Sequence, residues 1–121
     1  MSRSIFVFGS NLAGRHGKGA ALTARQKHGA VYGNGVGRQN NSYAIPTKNA
    51  DLRPLPLDVV AYYVDEFIQY AKVHPELDFR ITNIGCGLAG NRPHEIAVMF
   101  NDAPANCMFE PQWLEWLNCL E

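Results

Sequence analysis

Short apolar runs alternate with helix-forming segments along this chain, and that alternation constrains the fold more than any other feature. The apolar runs predict four strands, at Ser4–Phe8, Ser42–Ile45, Phe79–Ile84 and Asn106–Phe109. The segments that follow them predict four helices, at Gly19–His28, Asp58–Lys72, Pro93–Phe100 and Pro111–Leu120. Alternation of this kind is typical of a three-layer α/β/α fold built around a mostly parallel sheet.

Single residues set some of these boundaries. Pro46 is expected to end the second strand, because proline has no N–H to give to a strand ladder. Asp58 is expected to be the N-cap of the second helix, which has the clearest apolar stripe in the chain. Segment 29–41 is predicted to be a loop, since it holds four glycines and three asparagines.

Length and composition favour one compact domain that spans residues 1–121. Single domains usually hold about 100–150 residues, and 46% hydrophobic residues supply enough apolar area for one core. The early apolar run Ile5–Phe8 is far shorter than the ~20 residues of a membrane span. We therefore expect a cytoplasmic protein without a membrane partner.

Metal and cofactor sites are not expected. The three cysteines, Cys86, Cys107 and Cys119, have no C-x-x-C spacing and are typical of reduced thiols. No two of the four histidines stand at positions i and i+4, where a helix would present both to one metal ion.

Charge is unevenly distributed although the net charge is zero. Residues 1–53 hold eight lysines and arginines against one acid, a balance of +7, and residues 54–121 hold three against ten, a balance of −7. This asymmetry suggests that the first half faces an anion such as a phosphate or nucleotide. The alternative is that the two halves neutralise each other across the fold.

The eleven glycines form two groups, and each group begins directly after a predicted strand. Eight lie between Gly9 and Gly37, and three lie at Gly85, Gly87 and Gly90. Glycines at strand ends allow backbone amides to surround an anion, and the first group also leads into a helix N-terminus that favours phosphate. The first group matches neither a Walker A loop nor a G-x-G-x-x-G fingerprint. The alternative is a tight strand-to-helix turn with packing glycines.

Three motifs in fixed order carry a family resemblance. They are GRHGKGAALTARQKHG at 14–29, preceded by Asn11, then YAIPTKN at 43–49 and IGCGLAG at 84–90. Together they resemble the macrodomain family, which binds ADP-ribose. The likeness is greatest to the branch that contains the terminal ADP-ribose protein glycohydrolase and the antitoxin that removes ADP-ribose from thymidine in DNA. The resemblance implies a macrodomain-like fold in a minimal version, which lacks the usual N-terminal strand.

The resemblance also implies a ligand site. Gly17, Lys18 and Gly19 would line the distal ribose and the diphosphate, and Asn11 would approach the distal ribose. The residues expected to wrap the diphosphate from the other side are Gly85, Cys86, Gly87, Leu88 and Ala89. Thr47 would line the same site from the second strand. For Asn11, an Asx-turn that organises the loop is the alternative.

Lys48 is the expected catalytic residue. In the resembling branch the matching lysine attacks the anomeric carbon of the distal ribose. A lysine can do this where burial or nearby cations, here Arg15 and Lys18, lower its pKa and make the neutral amine available. The alternative is that Lys48 only pairs with phosphate or lies in solvent.

Departures from the family pattern leave the function open. Ala89 stands where the protein-directed branch has an aspartate, and residues 1–50 hold no acid to read the adenine amino group. A small residue at this position is typical of the DNA-directed enzymes. We therefore expect either hydrolysis of an ADP-ribosyl linkage on DNA or protein, or a binding module for ADP-ribose or a related nucleotide without turnover. A structural protein that has lost the ligand is the third possibility.

Overall fold

The computed structural model describes residues 4–84 and 93–111. Its strands are β1 (Ser4–Asn11), β2 (Gly37–Gln39), β3 (Ser42–Lys48), β4 (Asp78–Ile81) and β5 (Cys107–Phe109). Its helices are α1 (Gly19–Lys27), α2 (Leu57–Lys72) and α3 (Pro93–Ala97), and a 3-10 turn, Val98–Phe100, follows α3. Of the predicted helix Pro111–Leu120, only Pro111 lies within the described residues.

The five strands form one sheet in the order β2-β3-β1-β4-β5. The pairs β1–β3, β1–β4 and β4–β5 are parallel, and only β2 runs antiparallel to its neighbour. The predicted mostly parallel sheet is thus confirmed, with β1 at its centre. Parallel strands of this kind bring their carboxyl ends to one edge of the sheet, where ligands bind in open α/β folds.

Both faces of the sheet are covered, which gives the predicted three layers. Side chains alternate along β1, so Ile5 and Val7 face the larger core under α2, while Phe8 faces the smaller core under α1. Within the larger core, Phe67 of α2 meets Phe79 of β4 edge-on, with ring centroids 5.2 Å apart. The α1 layer packs through small residues such as Ala24, which lets that helix approach the sheet closely.

Several predicted boundaries were wrong, and β1, which was predicted to end at Phe8, continues to Asn11. β3 does not end at Pro46 but continues to Lys48, because a proline removes only one ladder donor and Pro46 stays in register with Ser10 of β1. Asp58 is not the N-cap of α2, since the helix begins at Leu57 with Pro56 at the N-cap. Asp58 instead lies in the first turn, where its carboxylate complements the helix dipole.

The segment predicted as a loop at 29–41 contains β2. This strand forms a short hairpin with β3, in which Gln39 pairs with Ser42. Asn40 occupies the turn with φ of 53°, a conformation that asparagine tolerates better than most residues. Two further elements are shorter than predicted: β4 ends at Ile81, and the helix at Pro93 gives way to the 3-10 turn after Ala97.

Candidate functional site

The predicted residues of the first two motifs meet where β1 and β3 end. Asn11 is the register partner of Lys48, and the backbone N–H of Leu12 donates to the Lys48 carbonyl at 3.0 Å. The hydroxyl of Thr47 points to the Ser10 carbonyl at 3.4 Å. Asn11 and Thr47 are buried, whereas Lys48 is half-buried. The strand ends therefore hold Asn11, Thr47 and Lys48 side by side.

The side chain of Asn11 organises the loop that follows β1. Its amide nitrogen donates to the Arg15 carbonyl at 3.0 Å, and its amide oxygen accepts from the Arg15 N–H at 3.0 Å. This is the loop-organising role that stood as the alternative for Asn11. The amide group has two donors and two acceptor sites, so these two bonds leave half of its capacity for a ligand.

Lys48 begins a second tight loop. Pro54 forms an isolated bridge with Lys48, and the Asn49 side-chain oxygen accepts from the N–H groups of Asp51 and Arg53 at 2.9 and 3.0 Å. Asp51, the one acid of residues 1–53, is exposed in this loop. Backbone contacts with β1 on one side and with Pro54 on the other therefore hold the Lys48 backbone, and its amine lies at the end of a flexible side chain.

The glycine loop after β1 packs against the segment 31–36. The Gly33 N–H donates to the Gly14 carbonyl at 2.8 Å, and the Ser10 hydroxyl donates to the Gly35 carbonyl. A Cβ at Gly14 would lie 2.3 Å from the Gly33 carbonyl carbon, and one at Gly35 would lie 1.9 Å from the backbone carbonyl oxygen of Asn11. Close backbone packing therefore requires glycine at positions 14 and 35. For these two residues the structure favours the alternative interpretation, in which the glycines serve packing.

Gly17 differs from these packing glycines. Its φ is not positive, and a Cβ built on it would meet nothing within 4 Å. Neither conformation nor packing therefore requires a glycine at this position. The absence of a side chain at Gly17 leaves open space beside the start of α1, which is what a bound ligand needs.

The N-terminus of α1 is open. The helix begins at Gly19 with Lys18 at the N-cap, no side-chain cap bond is formed among the described residues, and its first turn contains no acid. Gly17, Lys18 and Gly19 are exposed. Uncapped N–H groups and the helix dipole both favour an anion here, and the Arg15 and Lys18 side chains, also exposed, add positive charge.

His16 is a site residue that sequence reasoning missed. It is fully buried, and its Nε2 lies 3.1 Å from the Val31 carbonyl and 3.0 Å from the Asn34 carbonyl. Since carbonyls only accept, Nε2 must carry the proton and donate to both. Nδ1 is also buried and has no partner among the described residues. His16 thus ties the glycine loop to segment 31–36, and no spacing in the sequence signals these backbone partners.

The remaining predicted ligand residues lie outside the described part of the chain. They are Gly85, Cys86, Gly87, Leu88 and Ala89, which follow Ile84 after β4. Within residues 4–84 and 93–111, no three His, Cys, Asp or Glu side chains cluster as a metal site. No helix in the same ranges combines the length and apolar character that a membrane crossing requires.

Comparison with known proteins bears on the fold. No protein-family model and no curated protein matches the chain. The structure is similar to the macrodomain of Mycobacterium tuberculosis DarG, with a TM-score of 0.59 and 18% identity over 89% of this chain and 88% of that one. It is also similar to a protein of unknown function from Bacteroides thetaiotaomicron, with a TM-score of 0.60 and 20% identity over 84% and 80% of the two chains.

At these identities the likeness shows the fold. The chain has a small macrodomain-like fold, as the three ordered motifs predicted. The branch within the macrodomains stays a prediction.

Proposed function

We propose that this chain binds ADP-ribose at the edge of the sheet where β1 and β3 end. The pairing of Asn11 with Lys48 beside the uncapped start of α1 is the observation that carries this proposal. The diphosphate would lie on the N–H groups of the Gly17–Gly19 segment, where dipole and positive charge favour it. The distal ribose would lie over Asn11 and Thr47, within reach of Lys48. The loop Gly85–Ala89 would close the site from the other side.

Lys48 is proposed to hydrolyse an ADP-ribosyl linkage at this site. Its neutral amine forms a bond from Nζ to the anomeric carbon of the distal ribose as the glycosidic bond breaks. The departing group leaves with the bonding electron pair and takes the proton that the attacking nitrogen gives up. Water then attacks the same carbon as the bond from this carbon to Nζ breaks, and Nζ keeps the bonding electron pair and takes one proton from the water, which releases ADP-ribose and restores the neutral amine. The modified group would belong to DNA or protein, as the resemblance implies.

Turnover by the purified chain tests the chemistry. We expect ADP-ribosylated DNA or protein to be processed many times per molecule, and Lys48→Ala to lose this activity while it still binds free ADP-ribose. Lys48→Arg is the matched control, because it keeps the positive charge and removes the nucleophile. Full activity in Lys48→Ala would refute the role of the lysine.

A binding module without turnover is the second candidate. It is favoured by the scarcity of acids in the part of the sequence that forms the ends of β1 and β3, since Asp51 is the one acid in residues 1–53 and lies exposed in its loop. A hydrolase commonly uses an acid or base to assist the departing group or the water. Tight binding of ADP-ribose without release of product from any modified partner would select this candidate.

A further inference from the structure

A groove of about 290 Å³ lies between α2 and β3, beside Val36, the residue that precedes β2. It is lined by Val36, Tyr43, Ala44, Tyr62, Tyr63 and Glu66. None of these residues belongs to the site proposed above. The volume is close to the lower end of the range for small-molecule sites, about 300–1,000 Å³, so the groove suits one short ligand or one side chain.

Aromatic rings form much of the groove wall. Tyr62 and Tyr63 meet nearly at right angles, with ring centroids 5.3 Å apart and an interplanar angle of 78°. Tyr62 is 59% exposed although it is a large ring. The Tyr43 ring packs edge-on against the Phe67 ring, with centroids 5.1 Å apart. The faces of such rings are negative and attract cations.

Glu66 adds a carboxylate to the same groove. One of its oxygens accepts a hydrogen bond from the Tyr62 hydroxyl at 2.7 Å. No cationic side chain among the described residues forms an ion pair with Glu66, because the two ion pairs there join Lys72 to Asp102 and His74 to Glu76. Arg38 of β2 donates instead to the Tyr70 hydroxyl at 2.9 Å. Glu66 therefore has no ion-pair partner within this part of the molecule.

The carboxylate also acts on the groove floor. The pKa of Tyr43 is raised to about 12, chiefly by burial and in smaller part by the nearby charges of Glu66 and Tyr70. Tyr43 consequently stays neutral, and it presents a ring and a hydroxyl rather than a second negative charge. A phosphate or carboxylate ligand would be repelled by Glu66, whereas a positive group would gain both the carboxylate and the rings.

We propose that this groove binds an organic cation, a guanidinium or ammonium group on a short aliphatic stem. The charged group would pair with the second carboxylate oxygen of Glu66 and lie against the Tyr62 and Tyr63 rings, while the stem would contact Val36. Such a cation is carried by a small free amine or by an arginine or lysine side chain of a partner protein. The site is independent of the ADP-ribose proposal and shares no residue with it.

Titration of the whole chain with agmatine, followed by NMR, tests the proposal. We expect agmatine to shift the signals of Tyr62, Tyr63 and Glu66 in a saturable way. Glu66→Gln should weaken the affinity by about tenfold, since a charge-assisted hydrogen bond is lost, and Tyr62→Leu should weaken it severalfold. Asp65→Asn is the matched control, because this adjacent exposed carboxylate does not line the groove, and it should leave the affinity unchanged.

A capped Gly-Arg-Gly peptide separates the two sources of the cation. Equal affinity for agmatine and the peptide indicates a free amine, and clearly tighter binding of the peptide indicates a partner's arginine. Thermal melting of each variant shows whether the fold is kept. The proposal is overturned if agmatine shifts no groove signal, or if Asp65→Asn weakens binding as much as Glu66→Gln does, which would mean diffuse charge attraction.

Discussion

Gly14 and Gly17 lie three residues apart in one loop, but their backbone conformations and surroundings differ. Gly14 has φ of 70° and no room for a Cβ, whereas Gly17 has open space around it. At the scale of single residues, this contrast separates a glycine that the backbone packing requires from one that neither packing nor conformation requires. It also shows why a count of glycines after a strand is a weaker guide than their individual surroundings.

Gly17→Ala should therefore leave stability nearly unchanged and weaken ADP-ribose binding, because the added methyl group occupies space that a ligand needs. Gly14→Ala is the contrasting control and should destabilise the fold by more than about 2 kcal/mol, through strain at positive φ and the clash with Gly33. Urea unfolding and calorimetric titration measure the two effects. A Gly17→Ala variant that binds as the wild type does would exclude this loop from the site.

His16 is buried and holds the glycine loop against segment 31–36, so its replacement should weaken ligand binding through the position of this loop. His16→Phe keeps an aromatic ring beside Phe8, whose centroid lies 5.3 Å away, but removes the donor to the Val31 and Asn34 carbonyls. Unsatisfied buried groups cost about 1–3 kcal/mol each, so we expect a loss of about 2 kcal/mol in urea unfolding together with weaker ADP-ribose binding. His16→Gln, which retains an N–H donor, should recover part of both. Wild-type stability in His16→Phe would show that this tie is dispensable.

At the scale of elements, α2 is the helix that joins the sheet to the rest of the larger core. Its Phe67 is fully buried and contacts rings from three other elements, Tyr43, Phe79 and Phe100. Phe67→Ala leaves a cavity among these rings and should cost about 3–5 kcal/mol. Gln69→Ala, at an exposed position of the same helix, should change stability by no more than about 0.5 kcal/mol. Similar losses in both variants would contradict the packing described here.

Helices and strands with a clear apolar pattern could be predicted from the sequence, whereas the short strand β2 could not. The apolar stripe of α2 faces one core, so its spacing alone located the helix. β2 has no apolar alternation, and Gly37–Gln39 is a strand only because β3 lies beside it. Pro46 illustrates the same point, since pairing with β1 carries the strand through a residue that normally ends one.

Some residues of the candidate site could be predicted from the sequence, and others could not. Asn11, Thr47 and Lys48 could be placed together because parallel strands end at one edge of a sheet. The part played by His16 could not be predicted, since its partners are backbone carbonyls 15 and 18 residues further along the chain. The packing roles of Gly14 and Gly35 depend on a contact between two loops that no local pattern encodes.

At the scale of the whole molecule, no ion pair joins the basic first half to the acidic second half within residues 4–84 and 93–111. Both ion pairs of the described residues lie within the acidic second half, at Lys72–Asp102 and His74–Glu76. Of the basic residues of the first half, Arg15 and Lys18 are exposed next to the start of α1, at the proposed site. This observation favours the interpretation in which that half meets an anion over the one in which the halves neutralise each other.

Calorimetric titration of the whole chain with ADP-ribose is the most direct test of the proposed site. At about 0.15 M salt we predict one-to-one binding with a Kd on the order of micromolar, and weaker binding as salt is raised, because the diphosphate meets positive charge. Competition by ADP but not by ribose would place the main affinity at the diphosphate. Absence of binding to the folded chain, in a sample that melts cooperatively, would contradict the proposal that this macrodomain-like fold carries an ADP-ribose site.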